Sequence, residues 1–277
     1  MKDTVVLYHN NCSDGFGGAW AARKKFGKAA DYLGVIHHEP APLGLDSKDV
    51  YVIDFSYPED ITNELLNITK SLTLIDHHVT SKEITKSAPN HVYDNDHSGA
   101  VLAWKHFFKD EDVPLYLQYV EDIDLWKFKL PRSEDFMAFS ATVPFDFDRL
   151  DATIADFEDE KKRNAFLERG KNLLEYQNRL IDEMIQGGEE VKFEGYRALV
   201  VNSPILPSQL GNTTVKRGYE IGIIWSQSSD IIRVSLRSDK DSDVNVGDIA
   251  KKYGGGGHKS AAGFIVEDES LFPWQKK

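Results

Sequence analysis

Leu72-Thr73-Leu74-Ile75-Asp76-His77-His78 is a short aliphatic run that ends in a carboxylate and two imidazoles. The same arrangement occurs twice upstream. Residues 4–8 (TVVLY) lead into His9, and residues 50–53 (VYVI) lead into Asp54 and Phe55. A further β-rich run covers residues 34–37. Apolar runs of about four to eight residues between polar ones read as buried strands. Between and after them, residues 16–26, 58–69, 100–108 and 114–120 space their apolar side chains for helices. Strand–helix alternation predicts an α/β fold with a mostly parallel sheet and helices on both faces. In such sheets ligands bind beyond the carboxyl ends of the strands, where side chains from neighbouring strand ends converge. His9, Asp54 and Asp76-His77-His78 stand at three such ends. Taken singly, each is an ordinary capping or turn residue; together they predict a metal site. Imidazole mixed with carboxylate suits Mn, Fe, Zn or Co better than an all-oxygen Mg cage.

The remainder of the chain sets the limits around this site. Its 277 residues suffice for one large domain or two ordinary ones. With 41% hydrophobic and 28% charged residues it is neither disordered nor collagen-like. No apolar run approaches the ~20 residues of a membrane helix, and the five-residue apolar stretch near the start is too short for a secretory signal. Cys12 is the single cysteine, which excludes an internal disulfide and a multi-cysteine zinc cage. A cytoplasmic protein with no membrane partner is expected. The net charge of −12 is unevenly spread: residues 191–277 hold 12 basic and 10 acidic groups, leaving 21 basic and 35 acidic groups in the first 190. A protein gripping long duplex DNA needs a basic face; an acidic segment fits either a cation site or a solvated acidic surface.

Residues 157–187 are charged, rich in helix formers and end at Gly187-Gly188, with Leu167, Leu173, Leu174, Leu180 and Ile181 near helical spacing. They predict one or two helices capped by the glycine pair. From Val191 the texture changes to strands (196–201, 219–225, 231–236), then a helix (246–253) and a glycine run. The expected organisation is residues 1–156, a helical linker over 157–190, and a smaller α+β domain over 191–277.

Two further stretches are candidates for chemistry. Glu121-Asp122-Ile123-Asp124-Leu125-Trp126 places acidic residues two apart, as a catalytic group or as a helix-terminal patch. Gly254-Gly255-Gly256-Gly257-His258, followed by Lys259-Ser260-Ala261-Ala262-Gly263, could turn backbone amides onto an anion or form a flexible hairpin. Neither a Walker loop nor a dinucleotide-binding GxGxxG is present.

Taken in order, His9 with Cys12-Ser13-Asp14-Gly15, Val52-Ile53-Asp54, Asp76-His77-His78, Asp124 with Phe128, Val234-Ser235-Leu236-Arg237-Ser238, and Gly254–His258 with Ala261-Ala262-Gly263 resemble the DHH phosphoesterase superfamily, in its DHHA1-containing branch. That branch includes oligoribonucleases, RecJ-type exonucleases and cyclic-dinucleotide phosphodiesterases. The resemblance implies a DHH domain followed by a DHHA1-type domain, with a metal-lined cleft between them. It implies His9 and Asp14 as ligands of separate metals, Asp54 bridging them, and His77 and Asp124 completing the second site. His78 would lie toward the phosphate, and Asp76 would ligate or orient the cluster, with Asp122 a further candidate ligand. Arg237, Ser235, Gly254, Gly255, Gly256, Gly257 and His258 would hold the substrate. One position departs from the pattern. The family has Asp-x-Asp-Gly where this chain has Cys12-Ser13-Asp14-Gly15, so Cys12 either ligates the first metal or fills space beside the turn.

The function this implies is hydrolysis of phosphodiester bonds in short single-stranded oligonucleotides or nucleotides, dependent on one or two divalent ions, with manganese expected. The rivals are an exonuclease on longer single strands and a nucleotide-binding sensor with an impaired metal site; the second domain argues against a pyrophosphatase. Trp126, Phe128 and Tyr253 are candidates to stack a base, with Trp126 expected in the core.

Overall fold

The computed structural model describes residues 1–36, 39–228 and 231–276. It resolves into two compact units, residues 1–174 and 175–277. The first holds β1 (Thr4–His9), α1 (Ser13–Phe26), β2 (Ala30–Val35), β3 (Asp49–Ile53), α2 (Glu59–Ile68), β4 (Ser71–Asp76), α3 (Lys82–Ser87), β5 (Asn90–Tyr93), α4 (Gly99–Phe107), α5 (Leu115–Asp124), α6 (Ser133–Ser140) and α7 (Phe147–Glu158). The strands form one parallel sheet in the order β2-β1-β3-β4-β5. The run expected at residues 34–37 overlaps only the end of β2, which begins earlier, at Ala30; His37 lies outside the described residues.

The two-residue period of a strand sorts the core onto both faces. Val5, Leu7, Val50, Val52, Leu72 and Leu74 pack with Leu65 of α2. Val6, Ile53 and Ile75 point the other way, into a core built with α1, α4, α5, α6 and α7. Because all five strands run in parallel, their carboxyl ends share one edge. The order reverses beside β1, with β2 on one side and β3 on the other, which opens a crevice at that edge.

Helix α8 (Glu160–Gln186) is a single continuous helix of 27 residues, and the division between the units falls inside it. Its end does not use a left-handed glycine: among the glycines of positive φ, Gly187 and Gly188 do not occur. Gly187 N–H donates to the Glu183 carbonyl (3.3 Å), and a Cβ on Gly188 would lie 3.0 Å from Leu199 Cγ, so close packing accounts for that glycine.

The second unit contains β6 (Glu189–Phe193), β7 (Tyr196–Asn202), α9 (Pro207–Lys216), β8 (Ile221–Ser228), β9 (Ile231–Arg237), α10 (Val246–Lys252), β10 (Gly256–His258), β11 (Ala261–Val266) and β12 (Gln275–Lys276). They form a mixed sheet, β10-β11-β9-β8-β7-β6-β12, antiparallel except where α9 carries the chain across from β7 to its parallel neighbour β8. One face packs Val191, Ala198, Ile223 and Leu236 with Ile249 of α10. The other packs Leu199, Val201 and Ile224 with Leu210 of α9 and Ile181 and Ile185 of α8. The glycine run is mostly ordered backbone. Gly254 (φ 75°) closes α10 in the left-handed region, and a Cβ on Gly255 would lie 2.1 Å from the Gly263 carbonyl oxygen. Among the described residues, no helix is long and apolar enough to cross a membrane.

Candidate metal centre

The carboxyl edge of the parallel sheet gathers six of the expected residues. His9 ends β1, Asp54 follows β3, and His77 and His78 follow β4; Asp14 lies in the first turn of α1 and Asp124 ends α5. His77 Nε2 lies 3.2 Å from Asp54 Oδ1, 3.7 Å from Asp14 Oδ2 and 3.6 Å from Asp124 Oδ2. His9 Nδ1 lies 3.4 Å from Asp54 Oδ2. Three sets each bring their ligand atoms within 4.8 Å of one another: His9, Cys12 and Asp54; Asp54, His77 and His78; and Asp14, His77 and Asp124.

Local backbone chemistry fixes the two buried carboxylates. Asp54 adopts φ 66°, a conformation that disfavours side chains, while its N–H donates to the Ile75 carbonyl (2.9 Å). Asp14 accepts Gly99 N–H on Oδ2 (2.7 Å) and Ala100 N–H on Oδ1 (2.9 Å), so it satisfies the free amides at the start of α4. Gly99 was not singled out from the sequence, yet it is tightly constrained. A Cβ there would stand 2.7 Å from Asp54 Cβ, 2.9 Å from Asp54 Oδ1 and 3.0 Å from Asp14 Oδ2. The available signal was Ser98 before Gly99, an N-cap pattern; Ser98 Oγ accepts Val101 N–H (3.4 Å).

The electrostatics suit a cation. Burial raises the Asp14 carboxyl well above its usual range, reinforced by the charges of Asp54 and Asp124. Burial and then Asp54 push Asp124 up to about 6. For Asp54 burial is again the largest influence and opposes ionisation, but hydrogen bonds with His77 and His9 and the charge of His78 outweigh it and hold the carboxyl low. Burial, Asp54 and Asp14 push the Cys12 thiol up. One imidazole nitrogen facing three carboxylates can donate one proton at most. A divalent ion would satisfy the remaining oxygens, so this mixed imidazole and carboxylate set fits a divalent metal.

Two of the candidate residues lie outside the three sets. Asp76 is fully buried: its Oδ1 accepts from His77 N–H (2.8 Å) and His78 N–H (3.1 Å) and meets His78 Nδ1 (2.8 Å), while Oδ2 accepts from Ser56 Oγ (3.0 Å). It orients the His pair and joins none of the three sets among the described residues. Burial disfavours the charged form of His78, but its bond to Asp76 and that residue's charge dominate and raise it to about 9. Asp122 accepts Lys129 N–H on Oδ1 (2.9 Å) and Leu130 N–H (3.1 Å) and Ser133 Oγ on Oδ2, so its carboxylate organises the following loop instead of joining the cluster.

The expected substrate-binding residues belong to the second unit. Arg237 ends β9, where Nη2 donates to Ser208 Oγ (2.7 Å) and Nη1 to the Leu236 carbonyl (2.9 Å). It has no carboxylate partner among the described residues, and burial lowers its pKa. Ser208, at the start of α9, escaped the sequence reading; Pro207 before it is the signal of a helix start. Ser235 lies opposite Gly263 in the β9–β11 pairing, and His258 is exposed at the end of β10. Gly256 and Gly257 also lie in β10, so they are strand backbone and not a free loop. Tyr253 packs between Phe193 and Phe264, at ring distances of 5.8 and 5.0 Å. Trp126, expected in the core, is 50% exposed.

Comparison with known proteins agrees with this architecture. Residues 200–274 match the DHHA1 domain. Over 98% of its length the chain is 30% identical to an uncharacterized protein of Acanthamoeba polyphaga mimivirus, covering 70% of that protein. Over 95% of its length it is 26% identical to the oligoribonuclease NrnB of Bacillus subtilis, covering 73% of it. The fold is similar to that of RecJ from Thermus thermophilus solved with Mn2+, at a TM-score of 0.57 and 16% identity, over 98% of this chain and 50% of RecJ. With its all-parallel first sheet, its mixed second sheet and these relatives, the chain belongs to the DHH phosphoesterase superfamily, in the DHHA1-containing branch.

Proposed function

We propose that this protein is a divalent-metal-dependent phosphodiesterase acting on short single-stranded oligonucleotides or nucleotides, with manganese as its ion. The observation that carries this reading is His77 Nε2 facing Asp14, Asp54 and Asp124 at 3.2–3.7 Å on the carboxyl edge of the sheet. His9, Asp14, Asp54, His77 and Asp124 would hold the metal, with Cys12 beside His9 and Asp54. A divalent ion held there would supply charge neutralisation for the phosphoryl oxygens and would lower the pKa of water.

The chain's own groups do the rest. The α4 amides keep Asp14 in place, and the backbone bond from Asp54 to Ile75 fixes the second carboxylate. His78, steered by Asp76 through Nδ1, presents its ring to a phosphoryl oxygen or to the departing oxygen. Arg237 and Ser208, with Ser235 and Gly254–His258, bind the substrate's phosphate or terminal nucleotide; a guanidinium with no carboxylate partner among the described residues suits an anion.

The test is hydrolysis, with Mn2+ and after dialysis against EDTA, of dinucleotides, five-residue RNA and DNA, long single strands, cyclic dinucleotides and pyrophosphate. Mn2+-dependent cleavage of the short linear substrates is expected. Preference for long strands would make it a processive exonuclease. Full activity in excess EDTA would overturn the metal reading, and inertness toward every substrate would leave a nucleotide-binding sensor.

A further inference from the structure

The loop that follows Asp124 at the end of α5 carries an aromatic side chain out of the core. Asp124 ends α5, and Trp126 follows two residues later with φ 54° and half its surface exposed. Phe128, also of positive φ (47°), packs partly into the core of the first unit and meets the Trp126 ring edge-on, with centroids 4.8 Å apart at 87°. Two bulky residues in the left-handed region are unfavourable and persist only where the surroundings over-determine them.

Trp126 N–H donates to the Ile123 carbonyl (3.2 Å), and Asp122 holds the residues that follow. Its carbonyl accepts the N–H groups of Lys127 (2.9 Å) and Phe128 (3.3 Å). Its carboxylate accepts those of Lys129 and Leu130 and the Ser133 hydroxyl. Lys127 Nζ ties the loop to the Asp96 carbonyl (2.8 Å). A loop held at so many points, whose result is to keep an indole in solvent, is built to present that indole.

We infer that Trp126 is a stacking platform for the nucleobase attached to the phosphate at the cluster, and that Asp122 is the residue that positions it. This rests on the phosphodiesterase reading and adds a base subsite to it. An indole face accepts any base, so the site contributes affinity without selecting sequence. In an acidic chain with no basic run, stacking adds a contribution to affinity that does not depend on the phosphate contacts.

The test measures binding and turnover separately. The probes are the four 5′-phosphorylated homodinucleotides and a dinucleotide with an abasic 5′ residue. Binding is followed calorimetrically in Ca2+ and turnover in Mn2+, for wild type, Trp126→Ala, Trp126→Phe and Asp122→Asn. Trp126→Ala should weaken binding of all four dinucleotides by roughly ten- to a hundred-fold. Its kcat should change little, and the abasic probe should bind both proteins alike. Trp126→Phe should recover most of the affinity, and Asp122→Asn should lose it with bound Mn2+ unchanged. Equal dinucleotide affinity in wild type and Trp126→Ala overturns the subsite, even if hydrolysis is robust. Affinity that depends on Trp126 without turnover in wild type upholds the subsite and sinks the enzymatic reading. A wild type that neither binds nor cleaves any probe overturns both.

Discussion

Gly99→Ala is a one-carbon test of the centre. The new Cβ would stand 2.7 Å from Asp54 Cβ and 2.9 Å from Asp54 Oδ1, with Asp14 Oδ2 at 3.0 Å. Carbon atoms in contact sit ~3.5–4.0 Å apart, so Asp54 or α4 must yield by ~0.8 Å or more. Asp54 has little freedom: its backbone is already in the left-handed region and tied to Ile75. If α4 retreats instead, the Gly99 and Ala100 amides leave Asp14. Either movement exceeds the ~0.2 Å tolerance of a metal–ligand distance. The expected cost is about 1–3 kcal/mol of stability from overpacking. Mn2+ affinity should fall by about ten- to a hundred-fold, as for other residues that support ligands from behind. Calorimetric Mn2+ titration reads the second effect, and a thermal melt in EDTA reads the first. A Gly99→Ala protein that binds Mn2+ and cleaves dinucleotides like wild type would refute the placement of Asp14 and Asp54 at a working centre.

His77→Ala and Asp54→Ala should each lower kcat by several orders of magnitude while the protein stays folded by circular dichroism; near-wild-type turnover at saturating Mn2+ would remove them from the metal site. Mn2+ affinity should fall as the pH drops through about 6, because a proton on Asp124 (about 6) competes with the ion, and the raised Asp14 adds to the same trend. A carboxyl raised by folding favours the metal-free fold at low pH, fully so below its usual value of 3.8, and that contribution is lost as pH rises through about 6. Mn2+ should therefore raise the melting temperature more at pH 7.5 than at pH 5, and the opposite order would count against a centre of raised carboxyls. Cys12→Asp should tighten Mn2+ at the His9–Asp54 side and Cys12→Ser should weaken Zn2+, whereas unchanged ion counts and affinities in both would make the thiol a packing residue.

The parallel sheet was legible because its strands are buried on both faces and therefore read as unbroken aliphatic runs. β4 with Asp76, His77 and His78 is the clearest case. β5 was missed because Asn90 and His91 are exposed at the sheet edge, and α7 because only Leu150, Ile154 and Phe157 face inward among its acidic residues. Within the centre, ligand-type residues announce themselves by chemistry. Gly99 acts by having no side chain, and the segregation of Asp122 from Asp124 depends on which helix face meets the loop. Spacing alone could not separate two carboxylates two residues apart. Trp126 was misplaced for a related reason: a bulky aromatic after a helix normally turns inward, and the left-handed turn that keeps it out comes from bonds to Asp122 that no periodicity records.

From His9 to Asp124 the centre draws on residues far apart in the chain, delivered by three strands and two helices. No short stretch of chain could assemble it, so the denatured polypeptide offers an ion at most a few neighbouring groups such as Asp76-His77-His78. A zinc finger is nucleated by its metal; here the scaffold would close first, and an ion would enter a receptacle already shaped by α4 amides and strand-end bonds. During synthesis the receptacle is complete only once α5 has left the ribosome. A chain truncated before Asp124 should therefore lack the set formed by Asp14, His77 and Asp124 while keeping the residues of the other two sets.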